Sequence, residues 1–388
     1  MFRSFTSNRH WTLKDRRSDR RGFTLLELLI VIAILGILVG LLAWGVNAAR
    51  IAILKRAQTA EIANLANAVE AYRAKYGDYP PDGSSWPIVE AHLRKAFPNI
   101  LITELNILNP ANTANNFYVR NDNDLTGTHP YGGRVFDPAE ALVFFLGGFS
   151  NDPQKPLTGP GGPFTLNPDQ PNPKGLNNPY YFMYNTQREN GFFEFKTGRL
   201  TAVNRMDGKG MVSYDEDAVP GGYSEGVSGD LLPVYIGNGP TIAQGGVPIV
   251  YFDSRTYVVG GTYHNFYIPG QVSNSPNCAR PFLSNEVNSS FSGSPKPLRF
   301  ANDRTFQLLN AGYDKLYGCQ SVATAISSNA LYLFSSPGGN ACKLTPTGFY
   351  APVSPSPIRY YLNDFGNLRP VDDNISNFID GPTFAESP

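Results

Sequence analysis

Charge is scarce in this chain. Only 16% of its 388 residues are charged, and 32 Lys and Arg offset 32 Asp and Glu, so the formal net charge is zero. No extended basic surface suited to tracking phosphates is apparent, which argues against a nucleic-acid partner. Histidine is scarcer: beyond residue 22 there are only His92, His129 and His264, far apart and without metal-ligand spacing. The three cysteines, Cys278, Cys319 and Cys342, form no CxxC pair. HExxH, P-loop, GxSxG and dinucleotide fingerprints are missing. Gly159-Pro160-Gly161-Gly162 lacks the helix and lysine that would make it a phosphate cradle. The expectation is therefore a chain that is not an enzyme.

Glycine, proline and aromatic residues are plentiful: 38 Gly, 32 Pro, and 13% Phe, Trp and Tyr. Aromatics supply core material, so this is not the composition of a disordered chain. It reads as a loop-rich body that contains strands.

The few charges are unevenly placed. Residues 1–22 hold seven Lys/Arg and two Asp, and the remainder holds 25 Lys/Arg and 30 Asp/Glu, giving a basic head and a mildly acidic body. From Phe23 to Val46 the one charged residue is Glu27. As a helix this stretch would span about 36 Å, enough to cross a bilayer. Arg16, Arg17, Arg20 and Arg21 should stay cytoplasmic and place the body outside. Arg50, Lys55 and Arg56 oppose that bias but are fewer. An ordinary signal peptide or plain anchor leaves two features unexplained. One is Gly22-Phe23 on the near side of the run; the other is a carboxylate inside it, where charge is costly.

Arg20-Arg21-Gly22-Phe23-Thr24-Leu25-Leu26-Glu27 and the following apolar run resemble the N-terminus of type IV pilins and type II secretion pseudopilins. The resemblance implies a leader, 1–22, removed by a prepilin peptidase between Gly22 and Phe23. Glycine there lets the backbone enter a tight active site without a Cβ. It implies N-methylation of Phe23 and pairing of Glu27 with the N-terminal amine of a neighbouring subunit, which sets axial register. It also implies other pilin or pseudopilin subunits, an inner-membrane platform, an assembly ATPase and membrane lipid as partners. The chain would sit in the inner membrane in a single pass, N-terminus cytoplasmic, and then enter a filament. Leu42-Ala43-Trp44-Gly45 departs from the pattern, because many pilins carry a proline near this point. Gly36, Gly40 and Gly45 could supply flexibility instead, and Gly36 and Gly40 form a GxxxG.

The helical pattern continues past Arg50. Ile62, Leu65, Ala66, Val69, Tyr72 and Tyr76 recur at three- and four-residue spacing, with Glu61, Asn64, Asn67 and Glu70 on other faces. Gly77 and Pro80-Pro81 should end the helix near Tyr76. Ala71–Pro80 resembles the helix exit of the major type II secretion pseudopilin. The expected divisions are thus 1–22 leader, 23–46 membrane or filament-core helix, 47–76 amphipathic continuation, and 77–388 extracytoplasmic body.

The body should be α+β, with the long helix packed on an antiparallel sheet. A short helical pattern surrounds Val89, Leu93 and Phe97, and Asp137-Pro138 opens another helix. Segment 151–179 reads as a long loop. Strand candidates are Gly191–Lys196, Leu232–Ile236, Pro248–Asp253, Thr262–Ile268 and Ala330–Phe334. Phe306–Gly318 and Asp372-Asp373-Asn374-Ile375-Ser376-Asn377-Phe378 resemble segments of large prepilin-type proteins of planctomycete-like bacteria.

Calcium is the one ligand the residues suggest. Asp314, Asp372, Asp373 and Asn374 offer the oxygen donors it takes. Major pseudopilins bind calcium in a C-terminal loop, but this sequence has no close match to that loop. Solvated acidic turns are the competing reading. Cys319 and Cys342, nearest in sequence, could form a disulfide in an oxidising compartment, or all three thiols could stay unpaired. The functional expectation is a filament subunit. A membrane-anchored binding module that never polymerises, or a surface hydrolase, are the alternatives.

Overall fold

The computed structural model describes residues 24–110, 135–166, 182–204, 211–213, 232–238, 246–257, 279, 281–287, 298–312, 315, 317, 332–336, 340–344, 350–352 and 375–378. The chain divides into two compact units, Met1–Ala52 and Ile53–Pro388. Helix α1 runs from Leu25 to Tyr76 and contributes residues to both. It stops where the sequence predicts. Gly77 adopts φ +81°, a conformation that a side chain disfavours, and its N–H closes onto the Arg73 carbonyl at 2.7 Å.

In the second unit, Ile62, Leu65, Ala68, Val69 and Tyr72 form the buried stripe of α1. Three shorter helices join them: α2 (Trp86–Ala96), α3 (Ile102–Leu108) and α4 (Pro138–Leu146). Asp137 caps α4. Its carboxylate accepts the Ala139 and Glu140 N–H groups, and Glu140 returns the favour to the Asp137 N–H at 2.7 Å. Every residue of α4 is buried, so the helix is apolar all round rather than striped.

The strands follow in chain order. β1 (Phe164–Leu166) pairs with β2 (Phe182–Tyr184), β3 (Ala202–Asn204) with β4 (Met211–Ser213), and β5 (Ile236–Asn238) with β6 (Val247–Pro248), all antiparallel. β7 (Val250–Asp253), β8 (Leu283–Val287), β9 (Leu298–Phe300) and β10 (Phe306–Asn310) come next. β11 (Tyr332–Ser336), β12 (Asn340–Leu344), β13 (Tyr350–Pro352) and β14 (Ile375–Ser376) complete the set. A three-stranded antiparallel sheet has the order β14-β10-β7, and a five-stranded sheet the order β13-β12-β11-β8-β9. The protein is thus α+β. Its five-stranded sheet departs from pure antiparallel pairing at one place, β8 against β11. Parallel partners need a long connection, and β9 and β10 lie between these two in the chain.

The three-stranded sheet is covered on both faces. Tyr251, Phe306 and Leu308 join the α1 stripe and α4 in one core, while Val250, Phe252 and Leu309 join Phe282 and Tyr317 in another. The alternation has the two-residue period of a strand. Gln307 is fully buried in this sheet. Its side-chain amide accepts the Phe282 N–H at 2.7 Å and donates to the carbonyls of Phe282 (3.0 Å) and Ala301 (2.7 Å).

Gly191–Lys196 forms no strand and bends at Phe192 and Phe193. It runs over α1: Phe192 meets Tyr72 and Tyr76, and Phe193 and Phe195 meet Tyr235. The aromatic pattern is satisfied by packing on α1 and on Tyr235 instead of by a ladder. At Leu232–Ile236 the strand begins only at Ile236, and Ala330–Phe334 shifts to Tyr332–Ser336. Thr262–Ile268 lies outside the described residues.

Candidate assembly site on the first helix

Thr24 and Glu27 start α1. The Thr24 N–H and Oγ–H both donate to Glu27 Oε2 at 2.9 Å, and the Glu27 N–H donates to Thr24 Oγ1 at 3.2 Å. This reciprocal capping box satisfies donors that a helix N-terminus otherwise leaves open. The carboxylate therefore has a local task, and it stands at the positive end of the helix dipole. The sequence shows the pattern as Thr-x-x-Glu, a local capping signal that accompanies the charge expected to set register. Gly22 and Phe23 lie outside the described residues.

From Leu25 to Leu42 the helix is long and apolar enough to cross a membrane, and none of that span is buried within the protein. Leu25, Ile32, Ile37 and Leu41 are all more than half exposed. An apolar surface on all sides demands a lipid or protein environment. At Gly36 and Gly40 an added Cβ would meet nothing, so neither glycine is demanded by the fold of a single chain.

Within the second unit, α1 is tied to the body by polar groups as well as by its stripe. Glu61 receives both arms of the Arg199 guanidinium, at 2.6 and 2.8 Å, and the Tyr235 hydroxyl at 2.9 Å. Arg199 also lies over the Tyr235 ring, 4.6 Å from its centre. About three turns further along α1, the Tyr72 hydroxyl and His92 Nε2 are 2.7 Å apart. Burial pushes His92 down to about 3, and Arg255 adds to the effect, so this imidazole is neutral.

The turn that leaves the helix, residues 79–85, is buried, and its polar groups are answered from β7 and beyond. Tyr251 donates to the Pro80 carbonyl at 2.8 Å and Arg255 to the Tyr79 carbonyl at 2.7 Å. Asp82 accepts from the Asp253 N–H at 3.0 Å, from Ser84 Oγ at 2.6 Å and from the Thr256 hydroxyl. Asp253 in turn holds Arg255 Nε at 2.6 Å. Burial pushes the Asp253 carboxyl up to about 7, against the opposing pull of Arg255. Gly83, at φ +78°, packs so closely that a Cβ would overlap the Phe136 ring and carbonyl. These contacts join segments about 170 residues apart, and no local pattern announces them.

The suggested calcium donors, Asp314, Asp372, Asp373 and Asn374, lie outside the described residues, as does Cys319. Cys342 sits on β12, opposite Leu333 of β11 and Pro352 of β13. Among the described residues, no group of three or more His, Cys, Asp or Glu side chains could hold a metal ion.

Residues 17–43 match the prokaryotic N-terminal methylation motif. That interval contains Gly22, Phe23 and Glu27 and most of the apolar span. No curated protein and no solved structure matches the chain.

Proposed function

We propose that this chain, a prepilin-like precursor by its methylation motif, is a structural subunit of a type IV pilus-like or type II secretion pseudopilus filament. One observation carries the reading: the motif at 17–43 leads straight into a helix whose membrane-length span is exposed on every side. Such a surface is stable in lipid, and equally stable among identical helices packed side by side. In this reading a prepilin peptidase cuts between Gly22 and Phe23, and the new amine is methylated. An inner-membrane platform and its ATPase then move the subunit from lipid into the filament. The basic leader keeps the N-terminus cytoplasmic and the body outside. Glu27, at the helix start, pairs with the amine of the next subunit; in a low-dielectric bundle each charge needs the other. The role is structural rather than catalytic.

A membrane-anchored binding module would be favoured by an exposed aromatic patch on the body. Among the described residues, the large exposed hydrophobics beyond α1 are Leu101 and Ile102, neither of them aromatic.

Mass spectrometry of the membrane-extracted protein tests the proposal. A methylated Phe23 N-terminus, with the same species in sheared filaments, is the expected result. An intact Met1 would overturn processing, and a processed chain never found in filaments would overturn assembly.

A further inference from the structure

Residues 188–193 form a strap around the C-terminal end of α4, where a helix leaves its last carbonyls unanswered. Arg188 donates to the carbonyls of Val143 at 2.8 Å, Phe144 at 2.5 Å and Gly148 at 3.1 Å. The Phe192 and Phe193 N–H groups both reach the Leu146 carbonyl, at 2.8 and 3.3 Å. Between these holds, Asn190 Nδ2 donates to the Phe149 carbonyl at 3.0 Å and to Asn151 Oδ1 at 3.1 Å. The strap lies close. At Gly148, φ +102°, a Cβ would overlap the Glu189 carbonyl and the Gly191 nitrogen.

Asn190 is also the chemically labile point of the strap. Gly191 follows it, both residues are exposed, and Asn190 holds φ +57°. Glycine has no Cβ to hinder attack by its own nitrogen, and asparagine is a thermolabile side chain. Among the described residues, none accepts a hydrogen bond from the Gly191 N–H, so its proton is not held there.

The reaction is internal. The Gly191 nitrogen attacks Asn190 Cγ. A C–N bond forms, the Cγ–Nδ2 bond breaks, and Nδ2 leaves as ammonia with the proton of the Gly191 N–H. Water then opens the cyclic imide. Opening at the side-chain carbonyl gives aspartate. Opening at the main-chain carbonyl gives isoaspartate, whose backbone is longer by one carbon. Either product sets a carboxylate against the Phe149 carbonyl and Asn151 Oδ1, acceptor against acceptor. The longer backbone also has no slack beside Gly148.

We propose that Asn190-Gly191 is a site of spontaneous deamidation, and that its conversion loosens the strap from α4. The body thus carries an age-dependent weak point beside a helix that is buried along its whole length. The inference does not depend on filament assembly.

The test ages the full detergent-solubilised chain at mildly alkaline pH and maps its peptides by mass spectrometry. Asn190 should gain the mass change of an amide becoming an acid, in both aspartate and isoaspartate forms. Hydrogen exchange at the Phe192 and Phe193 amides should then be about ten-fold faster than in fresh protein, the size of one lost hydrogen bond at a buried site. Asn190→Asp should show that faster exchange without ageing. Asn238-Gly239 is the other Asn-Gly pair in the sequence, and it remains in Asn190→Gln. Aged and fresh Asn190→Gln should therefore exchange alike at Phe192 and Phe193. If the urea-unfolded chain converts Asn190 while the folded chain keeps it intact, the site is overturned. Conversion that leaves exchange at Phe192 and Phe193 unchanged would overturn the loosening.

Discussion

The carboxamide of Asn377 stands in for a strand beside Leu308. Its Oδ1 accepts the Leu308 N–H at 2.8 Å, and its Nδ2 donates to the Phe306 carbonyl at 3.3 Å. β14 itself pairs with β10 only at Leu309 and Asn310. One side chain thus extends the sheet edge where the backbone ladder stops, leaving less open edge for another chain to pair with. Asn377→Ala should cost roughly 1–3 kcal/mol. Asn377→Asp should cost more, because it sets an acceptor against the Phe306 carbonyl. Urea unfolding of the detergent-solubilised chain would rank the two.

Glu61 and Arg199 form a half-buried pair, with side chains 13% and 24% exposed. Removing either leaves a charge without its partner in a poorly solvated place. A double-mutant cycle with Glu61→Gln and Arg199→Ala should give a coupling of roughly 1–3 kcal/mol. Arg199→Lys should recover little of it, since a lysine cannot make the two-armed contact. Additive losses in thermal melts would show that the pair merely coexists.

Two buried groups should pull stability in opposite directions with pH. Asp253 has its carboxyl raised to about 7 in the folded chain. Its contribution is full below the unfolded carboxylate value and is lost as pH rises toward 7. His92 is depressed to about 3. Its contribution is full above the unfolded imidazole value and is lost as pH falls toward 3. Between about pH 4 and 6.5 the slopes offset. Asp253→Asn should leave stability rising with pH, and His92→Gln should leave it falling, each by up to about 1.4 kcal/mol per pH unit. Chemical denaturation across pH 4 to 8 reads both slopes; identical profiles for the two variants would contradict the assignment.

The double use of Glu27 can be separated. Gln keeps an acceptor for the Thr24 N–H and hydroxyl but carries no charge, whereas Ala removes both. Glu27→Ala should lose the helix-capping contribution, while Glu27→Gln keeps most of it. If charge sets register in the filament, both variants should fail to assemble while processing at Gly22-Phe23 continues. Assembly by the Gln variant would assign Glu27 to capping alone.

The long helix was legible in the sequence because its signals are local. A continuous apolar run, a stripe at helical spacing and a glycine before two prolines need no knowledge of distant residues, and Tyr76 is indeed the last residue of α1. The same holds for Asp137-Pro138 at α4 and for the strand at Pro248–Asp253, observed with a break at Ile249. Gly191–Lys196 misled because aromatic residues suit any half-buried extended segment, and a ladder depends on a partner elsewhere. The sequence places Glu61 off the apolar stripe but gives no sign of its partners, Arg199 and Tyr235, which are more than 130 residues away. The bridging roles of Asn377 and Gln307 are illegible for a similar reason: an amide substituting for a strand has no sequence signature.

In the proposed filament, the helix that holds the subunit must also bear load. Tension applied along α1 would enter the body at several successive places: Glu61 with Arg199, Tyr72 with His92, and the exit turn with Tyr251, Arg255 and Thr256. These attachments lead to segments scattered from residue 92 to residue 256, so no single hairpin can peel away and release the strain. The force is shared in parallel rather than passed bond by bond. Rupture then requires several of these contacts to fail together, which makes the body a brittle, high-threshold fastening at the end of its helix.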